Sequence, residues 1–489
     1  MSLRSAALSG GRATYVGQGI KLLLQLVSVA VLARLLTPED FGIAAMAAVV
    51  GGVTGVIATA GIPQALVQTG SLTQARLSRA FWFSALVGAA ASALVFLGAS
   101  TLASLMGESA LLVAFRFLSV GYFCSAIAAV FVAKLTRDLS FRRIVLAESL
   151  AHAGAILAAV WGALEGLGFW ALILQQLVQP LLLVALAGPL SGWRPSSPFR
   201  RADISDLLSF GVGSLGAQLV TYLGSAAPVF FLSRAASTYE VGIYNRAQTV
   251  TQLPVQQIGP PITRVAFPIL SQLRTTQSYI PYLLHGTAAV AYSLGTAMVL
   301  ISAMSTHVVA VYLGSDWSDA SPIVAILGLG LIAQAVGTSQ SWVFSSLGMT
   351  GVQFRYALLS RAIAVTVVAA TAASGGVIVA AATAGGMLLH YLIMSFVAMR
   401  RLELDARPLH LLQVRVLLIM FATWPIVHMC AGIAYRLGGD WIALAGGSVA
   451  FSLSLAALVG ASRTVREDMR GVVSLMRDSL AGPRRARSQ

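Results

Sequence analysis

Leu32-Ala33-Arg34-Leu35-Leu36-Thr37-Pro38-Glu39-Asp40-Phe41-Gly42-Ile43 returns two hundred residues later as Leu232-Ser233-Arg234-Ala235-Ala236-Ser237-Thr238-Tyr239-Glu240-Val241-Gly242-Ile243. Without a gap, Arg34 falls on Arg234, Asp40 on Glu240, Gly42 on Gly242 and Ile43 on Ile243. The register also holds upstream. Thr14, Gln18, Lys21, Gln25 and Ser28 fall on Ser214, Gln218, Thr221, Ser225 and Pro228. Steps of 4, 3, 4 and 3 put those positions on one face of a helix. A polar stripe repeated in register between two halves implies two similar helical bundles that face a shared polar space.

Composition sets the class around that repeat. With 489 residues, 57% of them apolar and 10% charged, and a mean hydropathy of +0.83, the chain is unlike a water-soluble globular protein. Long apolar segments recur from about residue 12 to about residue 462, each near the ~20 residues that a bilayer-spanning helix needs. A transmembrane β-barrel would instead show alternation over ~10-residue strands. The first segment carries Lys21 inside it and has no small-residue cleavage site, which predicts a retained helix. Cys124 and Cys430 both lie within apolar segments, so no disulfide framework is expected.

The expected fold is all-α and polytopic, with about fourteen transmembrane helices. They cover approximately 12–36, 41–62, 81–105, 111–133, 144–163, 169–188, 207–234, 241–270, 282–304, 323–347, 356–373, 377–399, 411–435 and 441–461. This predicts an N-terminal six-helix bundle (1–190), a Pro/Ser/Arg-rich linker (191–203) and a second six-helix bundle (204–400). Two further helices (401–462) and a basic tail (463–489), read as a short amphipathic segment with a basic end, complete the chain.

The net charge of +15 raises the question of nucleic acid, and its distribution answers it. Of 32 cationic residues only Lys21 and Lys134 are lysines, and the arginines cluster in alternate loops and at the two ends. That is the positive-inside pattern of a membrane protein, and it predicts both termini in the cytoplasm with no nucleic-acid partner. Six helices before the second copy make the repeat parallel, about an axis along the membrane normal. Two such bundles can rock about a central cavity. The basic tail is expected to meet anionic lipid headgroups.

Several residues could carry chemistry in that setting. A charge inside a spanning helix costs ~2.5–3.5 kcal/mol, so Lys21, on one face with Gln18 and Gln25, should meet polar surroundings and not lipid. Two readings compete: a lumen cation that attracts a phosphate, or a buried lysine paired with Glu148 or a carbonyl. Segment 241–270 carries the stripe Asn245, Gln248, Gln252, Gln256, Gly259 and Thr263, interrupted by Pro254, Pro260, Pro261 and Pro268. Arg246 and Arg264 bracket it and either line a cavity or reach the membrane surface. With Gln218, these residues form the expected substrate-binding set. Glu148 and His152, four apart, could pass protons or ions; the alternative is a Glu148 pair with Arg142 or Arg143. Arg34 and Arg234 should brace their turns against Asp40 or Glu39 and against Glu240. The chain shows no phosphate loop and no metal-spaced His/Cys set, so neither catalysis nor a cofactor is expected.

At Ala33-Arg34-Leu35-Leu36-Thr37-Pro38-Glu39-Asp40-Phe41-Gly42, Ala65-Leu66-Val67-Gln68, Gly242-Ile243-Tyr244-Asn245-Arg246-Ala247-Gln248 with Leu253-Pro254, and Thr263-Arg264-Val265-Ala266-Phe267-Pro268, the chain resembles a known family. It is similar to the Wzx-type flippases, the polysaccharide transporters of the multidrug/oligosaccharidyl-lipid/polysaccharide exporter superfamily. The resemblance implies two bundles in a V-shaped, alternating-access fold. It implies transport of undecaprenyl-diphosphate-linked oligosaccharide from the inner to the outer leaflet of a bacterial cytoplasmic membrane, for surface polysaccharide or O-antigen synthesis. The implied partners are that glycan lipid and the polysaccharide polymerase and export machinery. Related lipid flippases use lumen cations for the diphosphate, a role matched loosely here by Lys21 and Arg264. Drug-exporting relatives commonly carry an acid in the first helix, where this chain has Lys21. That departure argues against a cation-coupled drug antiporter, the alternative within the superfamily, and leaves the coupling ion open. A membrane potential can drive the cargo instead, at ~2.3 kcal/mol per charge per 100 mV, and Lys21 would favour inward return of the empty carrier. A membrane-embedded polymerase or ligase would need paired catalytic groups in an outer loop, and none is found.

Overall fold

Local signals decide where the helices start. Thr37 donates its backbone N–H and its hydroxyl to Asp40 Oδ2 (both 3.0 Å), and Asp40 N–H donates back to Thr37 Oγ1 (3.3 Å). This is a reciprocal capping box with proline at the first helical position. The second copy repeats half of it, Glu240 N–H donating to Ser237 Oγ at 3.3 Å. The repeated stretch is thus a helix–cap–helix corner used twice. The bonds Asp40 makes here go to its own cap. Arg34 donates to Ala30 O (2.8 Å) on its own helix, and Arg234 to Ser104 O (2.9 Å).

The computed structural model describes residues 3–481 apart from 60, 70, 71, 198–202, 275 and 402–405, and all regular structure in them is helical. The first nine helices are α1 (Leu3–Leu35), α2 (Pro38–Thr59), α3 (Ile62–Gln68), α4 (Gln74–Leu97), α5 (Ala99–Met106), α6 (Leu111–Arg137), α7 (Phe141–Leu164), α8 (Trp170–Leu190) and α9 (Ser205–Ala235). The rest are α10 (Thr238–Leu273), α11 (Tyr279–Ala303), α12 (Ser305–Tyr312), α13 (Ala320–Ser346), α14 (Thr350–Thr371), α15 (Gly376–Arg401), α16 (Arg407–Gly438), α17 (Asp440–Ala461) and α18 (Arg463–Ala481). All fourteen expected segments are helices, and the third is split into α4 and α5 at Gly98. Twelve described stretches are long and apolar enough to cross a membrane. Among the long helices outside that set are α9 and α10, whose apolar runs are interrupted by glutamines, serines and prolines.

Contacts divide the chain after Gly242 into two compact units, so the first turn of α10 belongs to the first and the remainder to the second. In the first unit, α3, α4, α6 and the start of α9 close around Leu66, Phe81, Phe131, Trp193 and Leu207. Small residues bring backbones together, as expected for intramembrane packing. A Cβ at Gly42 would sit 1.9 Å from Thr238 O, and one at Gly242 would sit 1.8 Å from Pro38 O. At Gly52 the missing side chain admits the ring of Tyr222, whose hydroxyl donates to Ala48 O at 2.8 Å.

Residues 191–197 of the expected linker lie strapped along α4. Gln74 Nε2 donates to Arg194 O (3.0 Å), and Trp193 Nε1 to Gln74 Oε1 (2.5 Å). Trp82 Nε1 donates to Ser196 O (2.8 Å), and Ser196 N–H to Ser78 Oγ (3.0 Å). Past residues 198–202, which lie outside the described residues, Arg76 grips Asp206 at 2.5 and 2.6 Å. The Arg76 guanidinium holds the Asp206 carboxyl below the usual carboxylate range, and the Ser205 N–H does the same for Asp203.

In the second unit, α11 and α13 run through the core, lined by Tyr292, Met298, Leu331, Val336, Val416 and Met420. Buried amides stitch it laterally: Gln340 Nε2 donates to Ser395 Oγ (2.5 Å), and Gln413 Nε2 to Ser339 Oγ (3.2 Å). The expected amphipathic tail segment is α18, and its described apolar residues, up to Val472, pack on protein. Val465 and Val472 join the core beside α11. Arg415 of α16 holds Asp468 in a two-point pair (3.0 and 2.6 Å), and Tyr292 Oη donates to the same carboxylate at 3.2 Å. Arg463, Arg466 and Arg470 are exposed, and Arg466 donates back to Val459 O (3.2 Å) and Gly460 O (2.6 Å) at the end of α17. The tail residues 482–489 lie outside the described residues.

Candidate substrate-binding site

Lys21 meets a carboxylate. A Cβ at Gly17 of α1 would overlap Val145 of α7 (2.4 Å to Cγ2), so the bare glycine lets the two helices approach. One turn further along each helix, on the same contact line, stand Lys21 and Glu148. Their ammonium and carboxylate form an ion pair, with Lys21 Nζ donating to Glu148 Oε2. The pair is not sealed: the side chains keep 38% and 27% of their accessible surface. His152 lies half-buried one turn further along α7. Of the two sequence readings, the structure realises the pairing of Lys21 with Glu148. Arg143 instead donates to Leu190 O at 3.1 Å, closing the end of α8.

The other members of the stripe divide. Gln18 is exposed and Gln25 half-buried, whereas Ser28 is buried and accepts from Gln175 Nε2 of α8 at 3.3 Å. Gln218 on α9 is half-buried. Glu148 is the eighth residue of α7, so the ion pair sits roughly 10 Å from that helix's amino-terminal end at ~1.5 Å per residue. Arg142 and Arg143 lie in that first turn of α7, and Lys134 and Arg137 in the last turn of α6 before it.

In the second unit, α10 carries the remaining candidates along its length. Arg246 is half-buried and donates to Asn245 Oδ1 at 2.8 Å. Gln252 is half-buried, and Gln256 and Arg264 are exposed. Eighteen residues separate Arg246 from Arg264, roughly 27 Å of helix, so these two arginines cannot grip one phosphate together. Four prolines lie inside α10, and each removes a main-chain donor. Thr263 accepts from Trp342 Nε1 at 3.2 Å, fixing the far part of the helix to α13. Among the described residues, no three His, Cys, Asp or Glu side chains converge as metal ligands would.

Sequence reasoning missed Gln175, Gln176 and Tyr222, which bind α1 and α2 through side-chain hydrogen bonds. Gln176 Nε2 donates to Ala44 O at 3.3 Å. The available signal was a pair of amides inside the apolar segment that becomes α8.

This arrangement of long apolar helices, polar stripes and an ion pair inside the first unit defines a multi-pass membrane protein. A model of the polysaccharide biosynthesis protein family matches residues 31–322, and the chain belongs to that family. It is 26% identical over 348 residues to the succinoglycan biosynthesis transport protein ExoT of Rhizobium meliloti (strain 1021), covering 70% of this chain and 69% of that one. It is 22% identical over 375 residues to the lipopolysaccharide biosynthesis protein WzxC of Escherichia coli (strain K12), covering 75% of each. Among solved structures, the lipid II flippase MurJ in an inward closed conformation aligns over 93% of this chain and 99% of its own, with a TM-score of 0.69 at 14% identity. The Wzx-type resemblance is therefore sound, and the fold is that of a membrane transporter.

Proposed function

We propose that the protein is a flippase that carries undecaprenyl-diphosphate-linked oligosaccharide from the inner to the outer leaflet of the bacterial cytoplasmic membrane by alternating access. The observation that carries this reading is Lys21. It is a cation within a membrane-spanning helix, partly accessible, roughly 10 Å from the end of α7 that carries Arg142 and Arg143. Under the positive-inside rule that end is cytoplasmic, which puts the cation on the side where a cytoplasmic diphosphate enters. The relatives' names, succinoglycan and lipopolysaccharide biosynthesis, support a glycan as the cargo. Gln252 and Gln256 on α10 offer hydrogen bonds to sugar hydroxyls, and its prolines let the helix change shape between states.

A strain lacking the endogenous gene, complemented with variants, tests this by surface polysaccharide. Lys21→Ala should abolish export at normal membrane abundance, and Lys21→Arg should retain part of it, because the charge survives although the shape does not. Full export by Lys21→Ala would overturn the role of Lys21.

A further inference from the structure

Lys21 already holds an anion. The Glu148 carboxylate occupies its ammonium, and both side chains keep part of their accessible surface. A carboxylate and a phosphate diester offer an ammonium the same partner, an anionic oxygen at hydrogen-bond distance. A charge sealed in a spanning segment costs several kcal/mol, so the carboxylate that leaves Lys21 depends on the 27% of its side-chain surface that stays accessible. A phosphate that approaches Lys21 therefore meets a competitor tethered beside it. We infer that Glu148 is the resident counter-ion of this site, and that cargo binding is an exchange in which a phosphate oxygen replaces the Glu148 carboxylate on Lys21. This rests on the reading of Lys21 as the diphosphate's cation.

Exchange has a consequence that simple attraction lacks. Affinity becomes a difference between two ion pairs, so the cargo is held less tightly than one free lysine would hold it. The carboxylate that is displaced on loading is also the group that evicts the cargo on unloading. Glu148→Gln keeps the size and the hydrogen-bonding capacity and removes the competing charge. It should tighten binding and slow release together, a split that a merely structural residue would not produce.

The experiment uses the full-length chain in lipid nanodiscs near neutral pH. The probe is a fluorescent prenyl-diphosphate-linked N-acetylglucosamine, and the same prenyl glycoside without phosphates is the control. Glu148→Gln should lower the probe's Kd about tenfold while reducing export in cells, and should leave the control unchanged. Glu148→Asp, with shorter reach and a looser pair, should fall between wild type and Glu148→Gln, and it carries the test if the glutamine variant is poorly made. Lys21→Ala should raise Kd at least tenfold, and in that background Glu148→Gln should gain nothing. If Glu148→Gln and Glu148→Asp bind as wild type while Lys21→Ala loses the probe, the exchange is wrong and Lys21 keeps its role. If Lys21→Ala binds the probe as wild type does, the reading of Lys21 itself falls.

Discussion

At Gly42 a single methyl group would occupy space already taken by the Thr238 carbonyl, 1.9 Å from the Cβ position. Thirteen residues along the same helix, a Cβ at Gly55 would meet nothing within 4 Å. Alanine ordinarily stabilises a helix by ~1 kcal/mol over glycine, so the two sites separate propensity from packing. Gly55→Ala should raise the Tm of the detergent-solubilised protein slightly. Gly42→Ala should lower it, since overpacking costs ~1–3 kcal/mol and the obstacle is backbone that cannot swing aside. Gly52 belongs with Gly42, because the Tyr222 ring fills its notch. Much at this scale was legible: the cap in Thr37-Pro38-Glu39-Asp40, the stripe through Gln18 and Lys21, and the need for Lys21 to have a polar partner. What could not be chosen was the partner. Glu148 stands 127 residues away, and periodicity on α7 does not say whether it faces α1 or the arginines of its own loop.

Helices carry the next set of expectations. On α10, replacing Gln252 and Gln256 with leucine should reduce export without reducing membrane abundance, which quantitative blotting beside polysaccharide measurement would check. An equal fall in both would assign those glutamines to folding instead. On α18, Asp468→Ala would leave Arg415 and Tyr292 facing an empty place. The loss should cost about 2 kcal/mol, the range for hydrogen bonds to charged groups, because the carboxylate is mostly buried, with 12% of its side-chain surface exposed. Thermal unfolding should show the drop, and Arg415→Leu together with Asp468→Leu should recover part of it. The amphipathic character of α18 was plain in its sequence. Its destination was not, because an apolar stripe facing lipid and one facing protein have the same periodicity.

For the whole molecule, the alternation of arginine-rich and arginine-poor loops makes an orientation testable. In a background without Cys124 and Cys430, cysteines at Thr37 and Ser237 should react with an impermeant thiol reagent added outside, and one at the exposed Glu467 should not. The opposite pattern would invert the topology. The strap along α4 gives a second handle. The carboxyls of Asp203 and Asp206 are held below the usual range, so their contribution is complete above ~pH 4 and is lost as the pH falls through the lowered values. Limited proteolysis of the connector should therefore be unchanged from neutral pH down to about pH 5 and rise only in stronger acid. Hydropathy and the repeat made the helix order readable throughout. The strap was not readable, because the single hydroxyl and indole bonds of Ser78, Ser196 and Trp82 leave no periodic trace in a serine-rich stretch.

The Arg415–Asp468 clasp also bears on how the protein is made. Helix α11, which carries Tyr292, is synthesised long before α18, and yet its core is finished by Val465 and Val472. Until those residues leave the ribosome, a guanidinium on α16 and an apolar strip on α11 wait uncovered. A chain halted after α17 would insert most of its helices and still display both to the proteases that triage incomplete membrane proteins. Removing α18 should thus shorten the cellular lifetime of the protein, not merely trim its surface.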